Sequence, residues 1–431
     1  MLNLIARVLK KDIVKVVSLN ALSTLIRMLT GFVSVKIVAV LIGPSGIALL
    51  GQLNNFSSIF LTASTGGINN GVTKYVAENA GSEIKLRVFL KTAFWITITL
   101  SLSCGLILIF GARYFSEILF KDLQYKSVLV IFGFTIILYS FNGLILSILN
   151  GFKEYRKYVI INILSSLTGL LFSGILAYYF GILGALISVV TYQSIVFLVT
   201  LFIAIKCSWF KRENFFGKFS REAGKKYAHY SIMALVSAAT VPISQLIIRG
   251  YITKHTSLTD AGLWEGMNRI SGMYLMVITS SLSVYYLPRL SEIKTTSELR
   301  LEISKTFKII LPPLLALSLL IFFLRDFIIT VLFNNKFQGM QNLFAFQLIG
   351  DVFKITSWIL AYQMVAKSMT KTYVITEVVF STGLVFLSFF FVRIYGNLGA
   401  TIAYAINYIT YFIVIVLIFR KLVFNYVRSA Q

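Results

Sequence analysis

Ten ionisable residues stand where apolar residues are the rule, and their types define the chemistry open to this chain. Arg27, Lys36, Arg249, Arg269 and Lys354 fall within long apolar stretches or at their outer ends, and Lys74 closes another. Asp351, Glu265 and Glu377 share those stretches, and Glu78 follows Lys74 by four residues. A charge deep in a bilayer is costly unless it faces a protein interior or an aqueous cavity, so such residues mark ligand or ion sites. Their sign sorts the ligands. Interior Lys and Arg suit an anion such as a phosphate or pyrophosphate, whereas interior acids would suit a cationic drug. The candidate substrate-binding residues are therefore Arg27, Lys354, Arg249, Arg269, Lys74 and Lys36. Asp351, Glu377, Glu265 and Glu78 are the candidates for ion coupling or charge pairing.

Spacing adds detail and leaves alternatives open. Asn20, Ser23, Thr24, Arg27, Thr30, Gly31 and Ser34 recur at steps of one and three, which places them on one helical face. Such a stripe lines a cavity or forms a polar seam between helices. Gln347, Gly350, Asp351, Lys354, Ser357 and Trp358 repeat the pattern. Asp351 and Lys354, three apart, can pair with each other, or Lys354 can meet substrate while Asp351 titrates or neutralises it. Glu265 precedes Arg269 by one turn. Arg249, Arg269 and above all Lys36 can also snorkel to the interface. Glu377 is a candidate proton site, with a loop lysine as the alternative partner.

Catalytic constellations are missing. There is no Walker A sequence, His-Glu-x-x-His, Cys-x-x-Cys or nucleophile elbow. The two histidines, His229 and His255, are 26 residues apart in sequence, and Cys104 and Cys207 lack metal-like spacing. The chain reads as a non-enzyme without cofactor or metal. Any energy must come from proton or sodium coupling, from neighbouring enzymes or from trapping of product.

The elements that position these residues are membrane spans. Hydrophobic residues make up 57% of 431 positions and charged ones only 13%, about half the usual share for a soluble protein. A span needs roughly 20 mostly apolar residues. The sequence predicts twelve: 16–42, 47–73, 88–112, 128–149, 158–180, 182–205, 228–252, 261–287, 306–333, 341–366, 372–394 and 398–419. The stretch 306–333 also reads as a shorter helix plus an interfacial piece. The net charge of +24 follows the spans: 28 of the 40 Lys+Arg crowd the N-terminal arm, alternate gaps and the C-terminal tail, and the other gaps hold 8. This is the positive-inside pattern, with both termini expected in the cytoplasm, and it explains the basic pI without nucleic acid. No small-residue cleavage site closes the first apolar run, which reads as a retained helix.

The halves repeat. Gly181-Ile182-Leu183-Gly184-Ala185 returns as Gly396-Asn397-Leu398-Gly399-Ala400, Gly46-Ile47 as Gly262-Leu263, and Tyr158 as Tyr373, at offsets of 215 or 216 residues. Six spans return the chain to its starting side, so the repeats are parallel. The expected organisation is a six-helix bundle over 1–206, a basic cytoplasmic linker over 207–226 and a second bundle over 227–431.

The residues then carry a resemblance. Asn70-Gly71-Val72-Thr73-Lys74-Tyr75-Val76-Ala77-Glu78 resembles the end of the second helix in bacterial lipid-linked oligosaccharide flippases. These belong to the polysaccharide-transport branch of the multidrug/oligosaccharidyl-lipid/polysaccharide exporter superfamily. Gly43-Pro44-Ser45-Gly46, Ser283 through Pro288, Asn335-Lys336-Phe337 and Phe344 through Lys354 extend the likeness along the whole chain. The resemblance implies an all-α membrane protein with a MATE-like transporter fold and a cationic cavity. It implies a substrate of the undecaprenyl-pyrophosphate-linked oligosaccharide class, an O-antigen or enterobacterial common antigen unit, turned from the cytoplasmic to the periplasmic leaflet of a Gram-negative inner membrane. The polymerase and chain-length regulator of the same pathway are implied partners. Arg27, Lys36, Arg249, Asp351 and Lys354 match charged positions of relatives, whereas Glu265 stands where a neutral amide is expected. Two other classes compete. An ion-coupled multidrug antiporter of the same superfamily would want an acidic cavity, and a membrane-bound polymerase would want a large periplasmic loop.

Overall fold

A computed structural model of the chain describes residues 2–367 and 369–423. The side chains of residues 2–21, with Arg7, Lys10, Lys11, Lys15 and Asn20, lie outside the described residues, as do those of His229, Val284, Pro288 and Lys421 and the whole of 424–431 with Arg428. Nearly every described residue is helical, as lipid demands: helices satisfy their own backbone groups where no water is available.

Two compact units divide the chain: Met1–Ile42 with Leu49–Pro242, and Gly43–Ala48 with Ile243–Gln431. The first begins with α1 (Leu2–Ser64), a run broken at Gly43, whose φ of 67° lies in the left-handed region, just before Pro44. It continues through α2 (Asn69–Asn79), α3 (Glu83–Phe110), α4 (Ala112–Phe120), α5 (Lys126–Gly151) and α6 (Tyr155–Ile205), the last broken at Gly181. The short α7 (Arg212–Phe215) leads to α8 (Arg221–His255), which passes through Pro242 where the first unit ends. The second unit adds α9 (Leu258–Ser281), carried by a π-helical turn into α10 (Leu287–Glu292), then α11 (Thr296–Phe323) and α12 (Arg325–Leu332). A 3₁₀ segment precedes α13 (Phe344–Ala366), and α14 (Thr370–Tyr395), α15 (Asn397–Ile418) and α16 (Arg420–Val423) complete it.

Nine runs among the described residues are long and apolar enough to cross a membrane. Two of them, Leu22–Ser64 and Tyr155–Ile205, contain the breaks at Gly43 and Gly181 and supply two spans each. α9 is long enough but carries Asp260, Glu265 and Arg269. Split at the two glycines and joined by α9, the runs give the twelve membrane-length helices expected from the sequence.

Two boundaries differ from expectation. The second span does not reach 73: α1 ends at Ser64, and Gly66 and Gly67 both adopt positive φ. Lys74 and Glu78 therefore sit on the separate short helix α2 rather than closing that span. The stretch 306–333 resolves into its shorter-helix alternative, with α11 ending at Phe323 and α12 beginning at Arg325.

Polar seams help hold the first unit where apolar burial offers little between helices already in lipid. Ser64 and Ser140 hydroxyls meet at 2.7 Å. Asn142 donates to Gln193 at 2.7 Å, Thr135 to the Val190 carbonyl at 2.7 Å, and Ser194 to the Thr135 carbonyl at 2.9 Å. In the second unit α13 lies along α15, with α9, α10 and α11 also against it. That arrangement makes α13 the frame of the site.

Candidate functional site

α13 presents Gln347, Asp351, Lys354 and Trp358 on one face because the residues recur every three or four positions. α9 brings Ser271 and Tyr274 to that face, and α15 brings Tyr404 and Tyr408. Asp351 is fully buried and is wrapped in donors. Ser271 Oγ donates to it at 2.6 Å, the Tyr274 hydroxyl at 2.7 Å, the Tyr404 hydroxyl at 2.8 Å and Gln347 Nε2 at 3.5 Å. A buried carboxylate is tolerated when its lone pairs are filled in this way.

Lys354 is arranged differently. Its ammonium lies over the rings of Trp358, Tyr408 and Tyr404, at 5.2, 5.5 and 5.9 Å from their centroids. No carboxylate among the described residues stands within ion-pair distance of it, so the simple Asp351–Lys354 contact pair does not form. Asp351 and Glu377 still act on it through space. An ammonium held by ring faces keeps its donors, whereas one locked to a carboxylate has spent them.

Lys354 and three of the donors to Asp351 (Ser271, Gln347 and Tyr404) line a pocket of about 350 Å³, together with Gln245, Asn268 and Trp358 among others. Gln347 Oε1 and Asn268 Nδ2 are buried without a hydrogen-bond partner. The pocket thus offers one cation, two aromatic side chains, and an amide acceptor and donor. Its chemistry suits an anion attached to a polar, ring-shaped group.

A buried charge cluster joins α8 to α9. Glu265 accepts from Arg249 Nη2 at 2.5 Å and from Arg269 Nε at 3.2 Å. Trp264 flanks Arg249, 5.6 Å from ring centroid to guanidinium. Arg249 is 2% exposed, so it does not snorkel. The carboxylate at position 265 shares two guanidiniums and leaves the cluster one positive charge in excess.

Of the remaining sequence candidates, Arg27, Lys36, Lys74 and Glu78 belong to the first unit and Glu377 to the second. Arg27 is exposed and Lys36 half-buried on α1. Ser34, on the same stripe as Arg27, meets Ser173 of α6 at 2.9 Å, so that end of the stripe is a seam between helices. Lys74 pairs with Glu78 at 3.6 Å on the exposed face of α2. Glu377 is half-buried on α14. Among the described residues no cluster of His, Cys, Asp and Glu could hold a metal ion.

Sequence reasoning missed Ser271, Tyr274, Tyr404 and Tyr408. Their signal was present as Ser271 with Tyr274 three residues on, and as Tyr404, Tyr408 and Tyr411 on one face of α15. An aromatic or hydroxyl stripe reads equally well as ordinary core, and nothing in its spacing says which acid it will meet.

Comparison with known proteins identifies the family and the fold. The family model described as "Polysaccharide biosynthesis protein" matches residues 13–294. The chain is 30% identical over 398 residues to the lipid III flippase of Escherichia coli (strain K12), covering 91% of this chain and 94% of that protein. The lipid III flippase of Shigella flexneri matches to the same extent. Among solved structures, an inward-facing multidrug resistance MATE family transporter of the MOP superfamily superposes with a TM-score of 0.75 at 14% identity, over 95% of this chain and 96% of that one. The lipid II flippase MurJ in an inward closed conformation gives 0.74 at 14% identity, over 94% of this chain and 87% of that one. At such identities the structural likeness speaks to the fold alone.

Proposed function

The chain belongs to the polysaccharide biosynthesis protein family, and we propose that it is a flippase for a polyprenyl-pyrophosphate-linked oligosaccharide. It carries its substrate by alternating access from the cytoplasmic to the periplasmic leaflet of the inner membrane. The glycan is an O-antigen or enterobacterial common antigen unit, and the tail is undecaprenyl. The observation that carries the reading is Lys354, an ammonium held on aromatic faces at the edge of a polar pocket, in a chain that aligns with lipid III flippases over 91% of its length. Lys354 meets the diphosphate, and the amides and rings around it meet the first sugars. Arg27 is a further proposed cationic contact for the substrate.

A cationic drug fits this pocket poorly. Asp351 is already saturated by hydroxyl donors, and the charge facing the pocket is positive. Coupling to a proton or sodium ion belongs to the same proposal, with Glu377 as the acid within electrostatic range of Lys354.

The test is leaflet exchange of a diphosphate-linked oligosaccharide in vesicles holding the purified chain. Exchange above protein-free vesicles is expected. Lys354→Ala and Arg27→Ala each remove a charge-assisted contact, so each lowers the rate by about tenfold or more while insertion is preserved. Absence of exchange by the native chain sinks the function, and normal exchange by both variants sinks the cationic site.

A further inference from the structure

The most basic connection in the chain, residues 206–227, folds onto the first unit. Trp209, Phe215, Ala223 and Tyr227 are buried in its core. Trp209 stacks on Phe152 at 5.7 Å and donates to Glu154 Oε1 at 3.2 Å, and the Tyr227 hydroxyl donates to the Phe89 carbonyl at 3.2 Å. Between these anchors the segment turns two other rings outward, with Phe216 55% and Phe219 49% exposed. Phe219 and the α3 residues Trp95, Ile96, Thr99 and Leu100 wall an apolar groove of about 380 Å³.

The groove is built rather than incidental. The Trp95 indole N–H donates to the Gly217 carbonyl at 2.8 Å, which fixes the ring as a wall. Gly217 has φ +144°, and a Cβ there would lie 2.8 Å from Lys91 Nζ. The glycine therefore lets the lysine cross the backbone one turn from Trp95. Nearby acids are already engaged: Arg87 takes Glu83 at 3.3 Å and Glu213 at 3.0 Å, and Lys226 takes Glu222 at 2.8 Å. Among the described residues Lys91, Lys211, Lys218, Arg221 and Lys225 have no carboxylate within ion-pair distance. An apolar groove with Lys91 against Gly217 and Lys218 beside Phe219 in sequence is complementary to a lipid whose headgroup is anionic.

We propose that this groove binds an anionic phospholipid of the bilayer, its acyl chain against Trp95, Leu100 and Phe219 and its phosphate on Lys91 and Lys218. Two outward phenylalanines beside lysines are the composition of an interfacial segment. Each cation near an anionic membrane surface raises lipid affinity about fivefold. The site lies outside the transport pocket and does not depend on the transport reading.

Trp95 provides the readout. The native chain is reconstituted in phosphatidylcholine vesicles containing a minor fraction of bromine-labelled lipid, either phosphatidylglycerol or phosphatidylcholine. The share of quenching lost in Trp95→Phe is that of Trp95. Stronger quenching of that share by the brominated phosphatidylglycerol is expected, and in the Lys91→Gln/Lys218→Gln variant the preference falls by about 25-fold. Equal quenching by both lipids, no quenching of Trp95, or a preference that survives in the double variant overturns the proposal. Binding is read without any exchange of substrate, so failure of the flippase reading leaves this result unaffected, and the reverse also holds.

Discussion

At the scale of single residues, one carboxylate does the work of two. Glu265 is 11% exposed and holds Arg249 at 2% and Arg269 at 19%. Removing it leaves two guanidiniums facing each other in a medium that screens poorly, and breaking a buried pair typically costs about 3–5 kcal/mol. Removing Arg269 instead leaves a neutral Arg249–Glu265 pair and costs less. Thermal unfolding in nanodiscs should therefore fall much further for Glu265→Gln than for Arg269→Gln. An equal or reversed order would show that Glu265 does not hold the cluster. The same scale marks the limit of sequence reading. That Asp351 and Lys354 share a face was legible from their spacing of three. Their partners were not, because Ser271, Tyr274 and Tyr404 lie 53 to 80 residues away, and spacing within one helix says nothing about which other helix arrives. The local pairing that spacing allowed was displaced by hydroxyl donors from α9 and α15, and the lysine was left to the aromatic rings.

At the scale of elements, the duplicated Gly-x-x-Gly is a single device used in each unit. Gly181 has φ 58° and ψ −135°, and its counterpart Gly396 has φ 60° and ψ −141°. Three residues on, a Cβ on Gly184 would lie 1.9 Å from the Leu176 carbonyl oxygen, and one on Gly399 would lie 2.1 Å from that of Phe391. The first glycine turns the chain and the second lets the next helix start against the backbone of the previous one. Gly184→Ala and Gly399→Ala each force that contact apart, at a cost of about 1–3 kcal/mol. A lower unfolding temperature is expected for each, whereas alanine at the exposed Gly81, which meets nothing within 4 Å, should leave it unchanged. Loss at one position alone would end the equivalence of the halves. These repeats were readable because a helical turn of this kind has few sequence solutions. The end of the second span was not. Ile68 and Val72 keep apolar residues at helical spacing past Ser64, and it is at Gly66 and Gly67, both at positive φ, that the helix breaks.

At the scale of the whole molecule, the crossing of the membrane by α9 sets the topology. The nine long apolar runs, taken as single crossings, would leave the termini on opposite faces. Dividing the runs at Gly43 and Gly181 adds an even number and changes nothing in that outcome. α9 alone decides it, since its three charged residues remove it from the apolar set although it has the length. The charges argue that it crosses: Glu265 neutralises one arginine, Arg249 supplies the second contact from α8, and the buried face of α9 packs on α13. A helix whose charges are matched inside its own unit has no reason to remain at the surface. The positive-inside count agrees, because Arg289, Lys294 and Arg300 follow α9, whereas the connection before it holds no Lys or Arg and only Lys254 stands in the last turn of α8. Alkaline phosphatase, active only outside the cytoplasm, should be active when fused after Thr256 and inactive when fused after Lys294. A fluorescent protein that matures only in the cytoplasm should glow at the second position and not at the first. Equal behaviour at the two positions would place α9 on one side of the membrane and with it overturn the twelve-span topology.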